Sequence, residues 1–215
     1  MIGHHISRSL GPSVVLVLLV LLALVPLSIC QSGTNPAASQ SAGSSTAQAA
    51  YRRGMLAVQQ RDLTTARSEF ETVVSLSPSS PDAHNALGWV LLLQGRGDAA
   101  IEQLRIALKL KPAFVQAHIN LANALAQTKN LDGALAEAKE TVRLSPRDAE
   151  AHRTLGRVLG LQQDLPGAES ELRRAAELDS KRPDLRDELG SVLHVRAVVC
   201  PEFQFLCESR RSLQP

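Results

Sequence analysis

The chain contains the sequence Ala83-His84-Asn85-Ala86-Leu87-Gly88, and its pattern returns later as Ala151-His152-Arg153-Thr154-Leu155-Gly156. The small residue that closes the stretch recurs every 34 residues. Its positions are Gly54, Gly88, Ala122, Gly156 and Gly190. Other residue types recur with the same period: Leu87, Leu121, Leu155 and Leu189; Ala66, Ala100, Ala134 and Ala168; Pro78, Pro112 and Pro146. A fixed period with small, apolar and helix-breaking residues at constant phase predicts a solenoid of repeated units.

Each repeated unit is predicted to be a pair of antiparallel helices. Leu87, Leu91 and Leu104 have helical spacing and would fill the seam between the two helices. The small residues Gly88 and Ala100 would let the helices approach closely. Proline ends each second helix, because it lacks the N–H donor and clashes with the preceding turn. Aromatic residues make up only 3% of the chain, which argues against a β-rich fold.

The repeated stretch, together with Ala100, Ala107 and Pro112, resembles the tetratricopeptide repeat pattern, whose period is also 34 residues. The resemblance covers residues 47–194, about two thirds of the 215-residue chain. It implies an all-α fold, a right-handed superhelical solenoid of antiparallel helix hairpins. Residues 47–194 are then predicted to hold four repeats, followed by one half repeat or capping helix that begins at Pro183.

The chain before the repeats is predicted to direct export. Arg8 precedes an apolar run from Val14 to Val25, and small and polar residues follow, which is the pattern of a secretory signal. Residues 1–30 are therefore assigned to a signal peptide or to a lipoprotein signal or anchor. Cys30 is the candidate lipidation site, because the three residues before it resemble a lipobox. We expect a periplasmic, secreted or membrane-anchored protein, and cleavage, lipidation and retention all stay open.

Two further segments lie outside the repeats. Residues 31–46 consist mostly of Ser, Ala, Gly, Gln and Thr, so they are predicted to form a flexible tether. Residues 195–215 are predicted to be an irregular C-terminal tail, either a folded cap or a truncated repeat. Within this tail, Cys200 and Cys207 form a candidate disulfide if the protein is exported, because disulfides persist in oxidising compartments. Two free thiols are the alternative.

Composition and motifs argue against several classes of function. A net charge of +2, with acidic and basic residues intermixed, gives no case for nucleic-acid binding. The chain lacks a Gly-rich phosphate loop, a His-Glu-x-x-His motif and a Gly-x-Ser-x-Gly elbow, so we expect neither an enzyme nor a cofactor. His84, His118 and His152 recur at the repeat period, but equivalent residues on stacked helices lie ~8–10 Å apart. That separation is too long for a shared zinc ion, so we interpret these histidines as packing residues.

The resemblance also predicts the functional surface, because the first helix of each hairpin lines the concave side in this family and partners bind there. Carried onto this chain, the groove-facing residues are Tyr51, Met55, Asn85, Trp89, Leu92, Ile119, Asn123, Arg153 and Arg157. The family's carboxylate clamp is poorly matched, since these first helices contain no lysine. We therefore expect a non-catalytic scaffold that binds a peptide or protein outside the cytoplasm. The alternatives are a self-associating spacer, stacked through its C-terminal end, and an envelope or pilus assembly lipoprotein that meets the membrane only through its N-terminal segment.

Overall fold

The computed structural model describes residues 36–199. The chain divides into two compact units, Met1–Ser39 and Gln40–Pro215. Apart from the first four residues of α1, the hairpins below lie in the second unit. Nine helices and no strand occur over residues 36–199. They are α1 Pro36–Gln59, α2 Leu63–Leu76, α3 Pro81–Leu93, α4 Gly97–Leu110, α5 Val115–Gln127, α6 Leu131–Leu144, α7 Ala149–Leu161, α8 Leu165–Leu178 and α9 Pro183–Val199. Consecutive helices pack as hairpins, which confirms the predicted all-α solenoid. Within the described residues, no helix combines the length and apolar character needed to cross a membrane.

The turn inside each hairpin depends on one residue in the left-handed region of backbone conformation. These residues are Arg61, Gly95, Lys129 and Gln163, with φ of 60°, 75°, 65° and 67°, each one repeat apart. In the first hairpin, the N–H of Asp62 bonds the carbonyl of Ala57, and the N–H of Arg61 bonds that of Val58. This is a Schellman motif, which satisfies the last carbonyls of the first helix. Asp62 then starts the second helix, because its carboxylate accepts the N–H of Thr65 at 3.0 Å.

The seams of the second and fourth hairpins confirm the close helix approach that the small residues predict. A Cβ atom added at Gly88 would lie 2.7 Å from Cγ of Leu104, and one added at Gly156 would lie 2.8 Å from Cγ of Leu172. Real side chains do not approach so closely, so only glycine fits while these leucines keep their positions. Leu104 and Leu172 are fully buried in the seam. A larger residue at either glycine would push the paired helices apart.

His118 is buried, as a packing residue should be, but it also carries two hydrogen bonds that the sequence did not reveal. Its Nδ1 lies 2.6 Å from Oε2 of Glu137 on α6, and its Nε2 lies 2.8 Å from the carbonyl oxygen of Pro112. Both partners are acceptors, so the two hydrogen bonds form together only when both ring nitrogens carry a proton. The hydrogen bond to Glu137 raises the pKa of His118, an effect that burial opposes. The histidine therefore ties α5 both to its partner helix and to the preceding turn.

The same tie recurs in the neighbouring hairpins, with one chemical difference. His152 Nδ1 lies 2.7 Å from Oε2 of Glu171, again a carboxylate, and Nε2 lies 3.1 Å from the carbonyl of Pro146. His84 instead faces Gln103, whose amide can turn either its oxygen or its nitrogen toward the ring. His84 therefore lacks the carboxylate partner that His118 and His152 have.

Two helix ends differ from the predicted boundaries. Helix α1 begins at Pro36, within the predicted tether and ahead of Ala47, because proline suits a first helical turn and alanine and glutamine favour helix. Helix α9 continues past His194 to Val199. At Ala197 the repeat period would place another left-handed turn residue, and alanine keeps the helical conformation instead. The predicted signal segment with Cys30 and the predicted disulfide of Cys200 and Cys207 lie outside the described residues.

Candidate functional site

The first helices of the second, third and fourth hairpins, α3, α5 and α7, line a shared cleft with a volume of about 640 Å³. We call this cleft the first-helix groove. Six of the predicted groove residues lie along it: Trp89, Leu92, Ile119, Asn123, Arg153 and Arg157. Gln116, Asn120, Glu150 and Leu161 line it as well. The lining changes from aromatic and aliphatic at α3, through amides at α5, to charged residues at α7.

The three remaining predicted residues do not line this cleft. Tyr51 and Met55, on α1, pack against the apolar core. The Tyr51 ring meets the Phe70 ring edge to face, with 5.4 Å between their centroids. Burial, followed by the negative charge of Asp82, raises the pKa of the Tyr51 hydroxyl. Asn85 lies on α3, but its side-chain oxygen accepts a hydrogen bond from another asparagine of the chain.

That asparagine is Asn120, a buried polar residue that the sequence reasoning missed. Its Nδ2 donates to Oδ1 of Asn85 at 2.9 Å, which links α5 to α3. The signal was present, because Asn120 occupies the repeat phase of Ala86 and Thr154, two buried residues of modest size. A second amide, on Asn123, accepts a hydrogen bond at 3.2 Å from Nη1 of Arg157 on α7. Polar contacts therefore connect successive first helices along the groove.

Two apolar residues of the predicted set occupy different depths. Trp89 is half-buried and packs against the core while one side lines the groove. Ile119 is only 2% exposed, so it supports the floor of the groove and offers a partner almost no surface. This corrects the predicted contact role of Ile119. Ile119 follows Asn85 by one repeat period, which is why it was assigned to the groove. Its position in the repeat did not reveal how closely the neighbouring helices cover α5.

Arg153 and Arg157 lie one turn apart on α7 but have different surroundings. Arg153 donates from Nη2 to Oε1 of Glu188 at 2.5 Å, and from Nη1 to Oε1 of Glu150 at 3.2 Å. The hydrogen bond that Arg153 donates to Glu188 is the main reason that the pKa of Arg153 is raised. Asp184 adds a weaker contact at 3.9 Å. The predicted partner contact at Arg153 is therefore replaced by a structural role, because carboxylates of its own chain surround this guanidinium.

The carboxylates around Arg153 are shared with a second arginine. Arg182 donates to Asp184 at 2.5 Å and to Glu150 at 2.8 Å. The hydrogen bonds that Arg182 donates to Asp184 and Glu150 raise the pKa of Arg182, and the bond to Asp184 lowers the pKa of Asp184. This network connects α7 to the start of α9. Arg157, by contrast, is exposed to solvent and donates to a neutral amide, so that contact leaves its charge available to a partner.

The groove can therefore bind but shows no catalytic arrangement among its described residues. It offers an indole surface, amide groups that can pair with a peptide backbone, and an exposed guanidinium that suits a carboxylate. Among residues 36–199, no group of three or more His, Cys, Asp or Glu side chains is arranged to hold a metal ion.

Comparisons with known proteins agree with this architecture. Residues 51–113, 94–147 and 134–183 match the family model described as tetratricopeptide repeat. TTC0263, a thermophilic TPR protein from Thermus thermophilus, is 24% identical, covers 68% of this chain and 80% of its own, and has a TM-score of 0.64. PilF of Pseudomonas aeruginosa is 21% identical. The match covers 76% of this chain and 75% of PilF, with a TM-score of 0.64. YrrB, a TPR protein with an unusual peptide-binding site, is 24% identical. The match covers 71% of this chain and 75% of YrrB, with a TM-score of 0.56. No curated protein sequence matches this chain.

Proposed function

This chain belongs to the tetratricopeptide repeat family and is a protein-interaction scaffold, and we propose that it holds an extended segment of another protein in the first-helix groove. The observation that carries the proposal is the row of different side chains across three first helices. Trp89 lies on α3, Asn123 on α5 and Arg157 on α7. YrrB, which has the same fold, is described as having a peptide-binding site, and we extend that type of binding to this chain.

Each residue of the row has a distinct role in the proposed complex. Trp89 offers a rigid contact surface, and tryptophan and arginine are the residue types enriched in binding hot spots. Asn123 uses its oxygen for Arg157, which leaves its amide N–H groups to donate to a backbone carbonyl of the bound segment. Arg157 pairs with a carboxylate of the partner. We therefore infer an extended partner segment with an apolar side chain toward α3 and an acidic group toward α7.

The site of this interaction is proposed to lie outside the cytoplasm. The support is the sequence of residues 1–30, in which Arg8 precedes the apolar run Val14–Val25. The partner is then a secreted or membrane-associated protein. An exported location also disfavours the cytosolic chaperone tails that other family members bind.

Affinity capture with matched variants tests the proposal. The full chain is immobilised and incubated with an extract of membrane-associated and secreted proteins. The groove variant carries Trp89→Ala and Arg157→Ala. The control variant carries Ile106→Ala and Arg105→Ala, an exposed pair of the same residue classes on the second helix α4. We expect a partner that wild type and the control variant retain and the groove variant loses. Equal retention by all three proteins would place binding elsewhere.

A further inference from the structure

A second cavity, with a volume of about 440 Å³, adjoins the first-helix groove and is lined by residues of α7, α8 and α9. We call it the α9 pocket. Arg157 and Leu161 line both the groove and the pocket. Leu161 is 51% exposed, although it is a large apolar residue. The two cavities therefore share a wall, and a segment bound in the groove reaches the α9 pocket next.

The α9 pocket also continues the row of side chains that the groove presents. Asn123 follows Trp89 by one repeat period, Arg157 follows Asn123, and Ser191 on α9 follows Arg157. Ser191 lines the α9 pocket. Because equivalent positions on successive first helices lie side by side, the row Trp89–Asn123–Arg157 leads across α7 to this pocket.

The lining of the α9 pocket is mainly apolar, unlike the amides and charges at the α5 and α7 end of the groove. Leu165 and Leu172 line it from α8 and are 8% and 1% exposed. Val192 and Val195 line it from α9, and Val195 is 43% exposed. An apolar group that entered the pocket would remove this surface from water, which favours binding.

Gly160 leaves room in the α9 pocket, because it contributes no side chain to the lining. The same repeat position holds Leu92 in α3 and Ala126 in α5. A Cβ added at Gly160 would have one described neighbour within 4 Å, the Cβ of Ala168 on α8 at 3.8 Å. A larger side chain at Gly160 can therefore be accommodated, and it would occupy space that is open in the wild type.

The charged groups of the α9 pocket determine where an acidic group of the ligand binds. Arg157 is exposed and donates to the neutral amide of Asn123, so its charge is available. Glu188 also lines the pocket, but its Oε1 accepts hydrogen bonds from Nε and Nη2 of Arg153. An acid is therefore held at Arg157, and the apolar interior suits an uncharged side chain beside it.

We propose, as an extension that rests on the proposed function, that the partner segment fills the α9 pocket with one large aliphatic or aromatic side chain. This residue is separated by one residue from the acidic residue that pairs with Arg157. Alternate side chains of an extended chain point the same way and recur about every 7 Å. That spacing matches a step from α7 toward α9, since packed helices lie ~8–10 Å apart. The shared wall of Arg157 and Leu161 favours this occupant over a separate ligand.

Peptide selection on the full chain tests the proposal. Random peptides displayed on phage are selected on wild type, on Gly160→Leu and on Gly190→Leu. Gly160→Leu fills the α9 pocket, whereas Gly190→Leu adds the same side chain outside its lining, where a Cβ would meet no described atom within 4 Å. We expect wild type and Gly190→Leu to enrich an acidic and a large apolar residue separated by one residue. Gly160→Leu should keep the acidic preference and lose the apolar one.

A second pair of variants tests the pocket from α9 and does not depend on a new side chain inside the hairpin. Val195→Asp places a charge in the pocket wall, and Val198→Asp places the same charge on a residue of α9 that is 67% exposed and outside the lining. Val195→Asp should also lose the apolar preference, and Val198→Asp should keep it. Thermal melting of the four variants shows that each is folded.

Titration of one enriched peptide, and of its version with serine at the apolar position, gives the magnitude. Wild type should bind the serine peptide at least about tenfold more weakly, whereas Gly160→Leu should bind the two peptides within about twofold of each other. A full apolar preference in Gly160→Leu and Val195→Asp would overturn the proposal and leave the groove intact. If no selected peptide depended on Trp89 or Arg157, the proposed function would fail, and this inference with it. A dimer that Gly160→Leu dissociates in light scattering would assign the pocket to a second copy and would also overturn the proposal.

Discussion

His118 on α5 and Glu137 on α6 form a hydrogen bond that ties together the two helices of the third hairpin, with 2.6 Å between Nδ1 and Oε2. Because Nε2 of the same ring bonds the carbonyl of Pro112, the imidazole has acceptors on both sides. The tie is therefore complete only when the ring is protonated. The stability of this hairpin should accordingly depend on pH.

The first prediction concerns the sign of that dependence. The pKa of His118 is raised in the folded state, so its stabilising contribution is fully present below the unfolded pKa of about 6.5. It is lost as pH rises through the higher, folded pKa. Glu137→Gln should lower the free energy of unfolding by about 1 kcal/mol at pH 6 and by less at pH 8.5. Urea denaturation at the two pH values checks this.

The chain contains its own control for this prediction. His84 faces Gln103 instead of a carboxylate, and Gln103→Glu should create the pH dependence that Glu137→Gln removes. If Glu137→Gln lowers stability equally at pH 6 and pH 8.5, protonation of His118 does not contribute to the fold.

The second prediction concerns the close helix crossing at Gly156. A Cβ there would lie 2.8 Å from Leu172, so Gly156→Ala should destabilise the protein by about 1–3 kcal/mol, and Gly156→Trp by more. Gly160 is one turn later on the same helix, where a Cβ would make an ordinary 3.8 Å contact with Ala168. Gly160→Ala should therefore be neutral or stabilising by up to about 1 kcal/mol. Equal Tm values for the two alanine variants would contradict the assigned crossing.

The third prediction separates the two arginines of α7. Arg153→Ala removes the guanidinium that pairs with Glu188 and leaves that carboxylate without it, so it should lower Tm. Arg157→Ala should leave Tm nearly unchanged and weaken partner binding, with a smaller difference from wild type at high salt. Thermal melting and binding titrations at two salt concentrations measure both effects. If Arg157→Ala lowered Tm and Arg153→Ala weakened partner binding without lowering Tm, the roles derived from the ion-pair network would be refuted.

The fourth prediction concerns export. A reporter fused after Ser39 should be delivered outside the cytoplasm, because residues 1–30 have the pattern of a secretory signal. Mass spectrometry of the mature protein distinguishes a start near Gln31, a lipidated Cys30 and a retained Met1. A full-length cytosolic product would remove the basis for an extracytoplasmic partner and for a disulfide between Cys200 and Cys207.

The hairpins were predictable from sequence because their determinants are local and periodic. The small residue at Gly88 and Gly156 marks each crossing, and the structure places a leucine against both. The histidine ties were not predictable in the same way. Each depends on a side chain 19 residues later and on a proline carbonyl six residues earlier. These partners recur at the repeat period, as Glu137 and Glu171 do, but residue types alone do not show that hydrogen bonds join them to the histidines.

The site was predictable as a surface and less so residue by residue. Their positions within the 34-residue repeat placed Arg153 and Arg157 on the same helix face, and both line the first-helix groove. Position in the repeat could not show that Arg153 donates a hydrogen bond to Glu188, which lies 35 residues later in the chain. Burial of Ile119 and the amide pairing of Asn120 likewise depend on how neighbouring first helices pack against each other.

The most direct test of the account is the affinity of Trp89→Ala for the captured partner, measured by titration calorimetry beside its Tm. Trp89 is half-buried at the α3 end of the groove, so its loss should weaken binding by about 2 kcal/mol or more. Tm should fall only modestly, because Trp89 is half-buried and only one side of it packs against the core, and the control Ile106→Ala should change neither quantity. A lower Tm with unchanged affinity would contradict the account, because Trp89 would then belong to the core and the groove would lack its anchor.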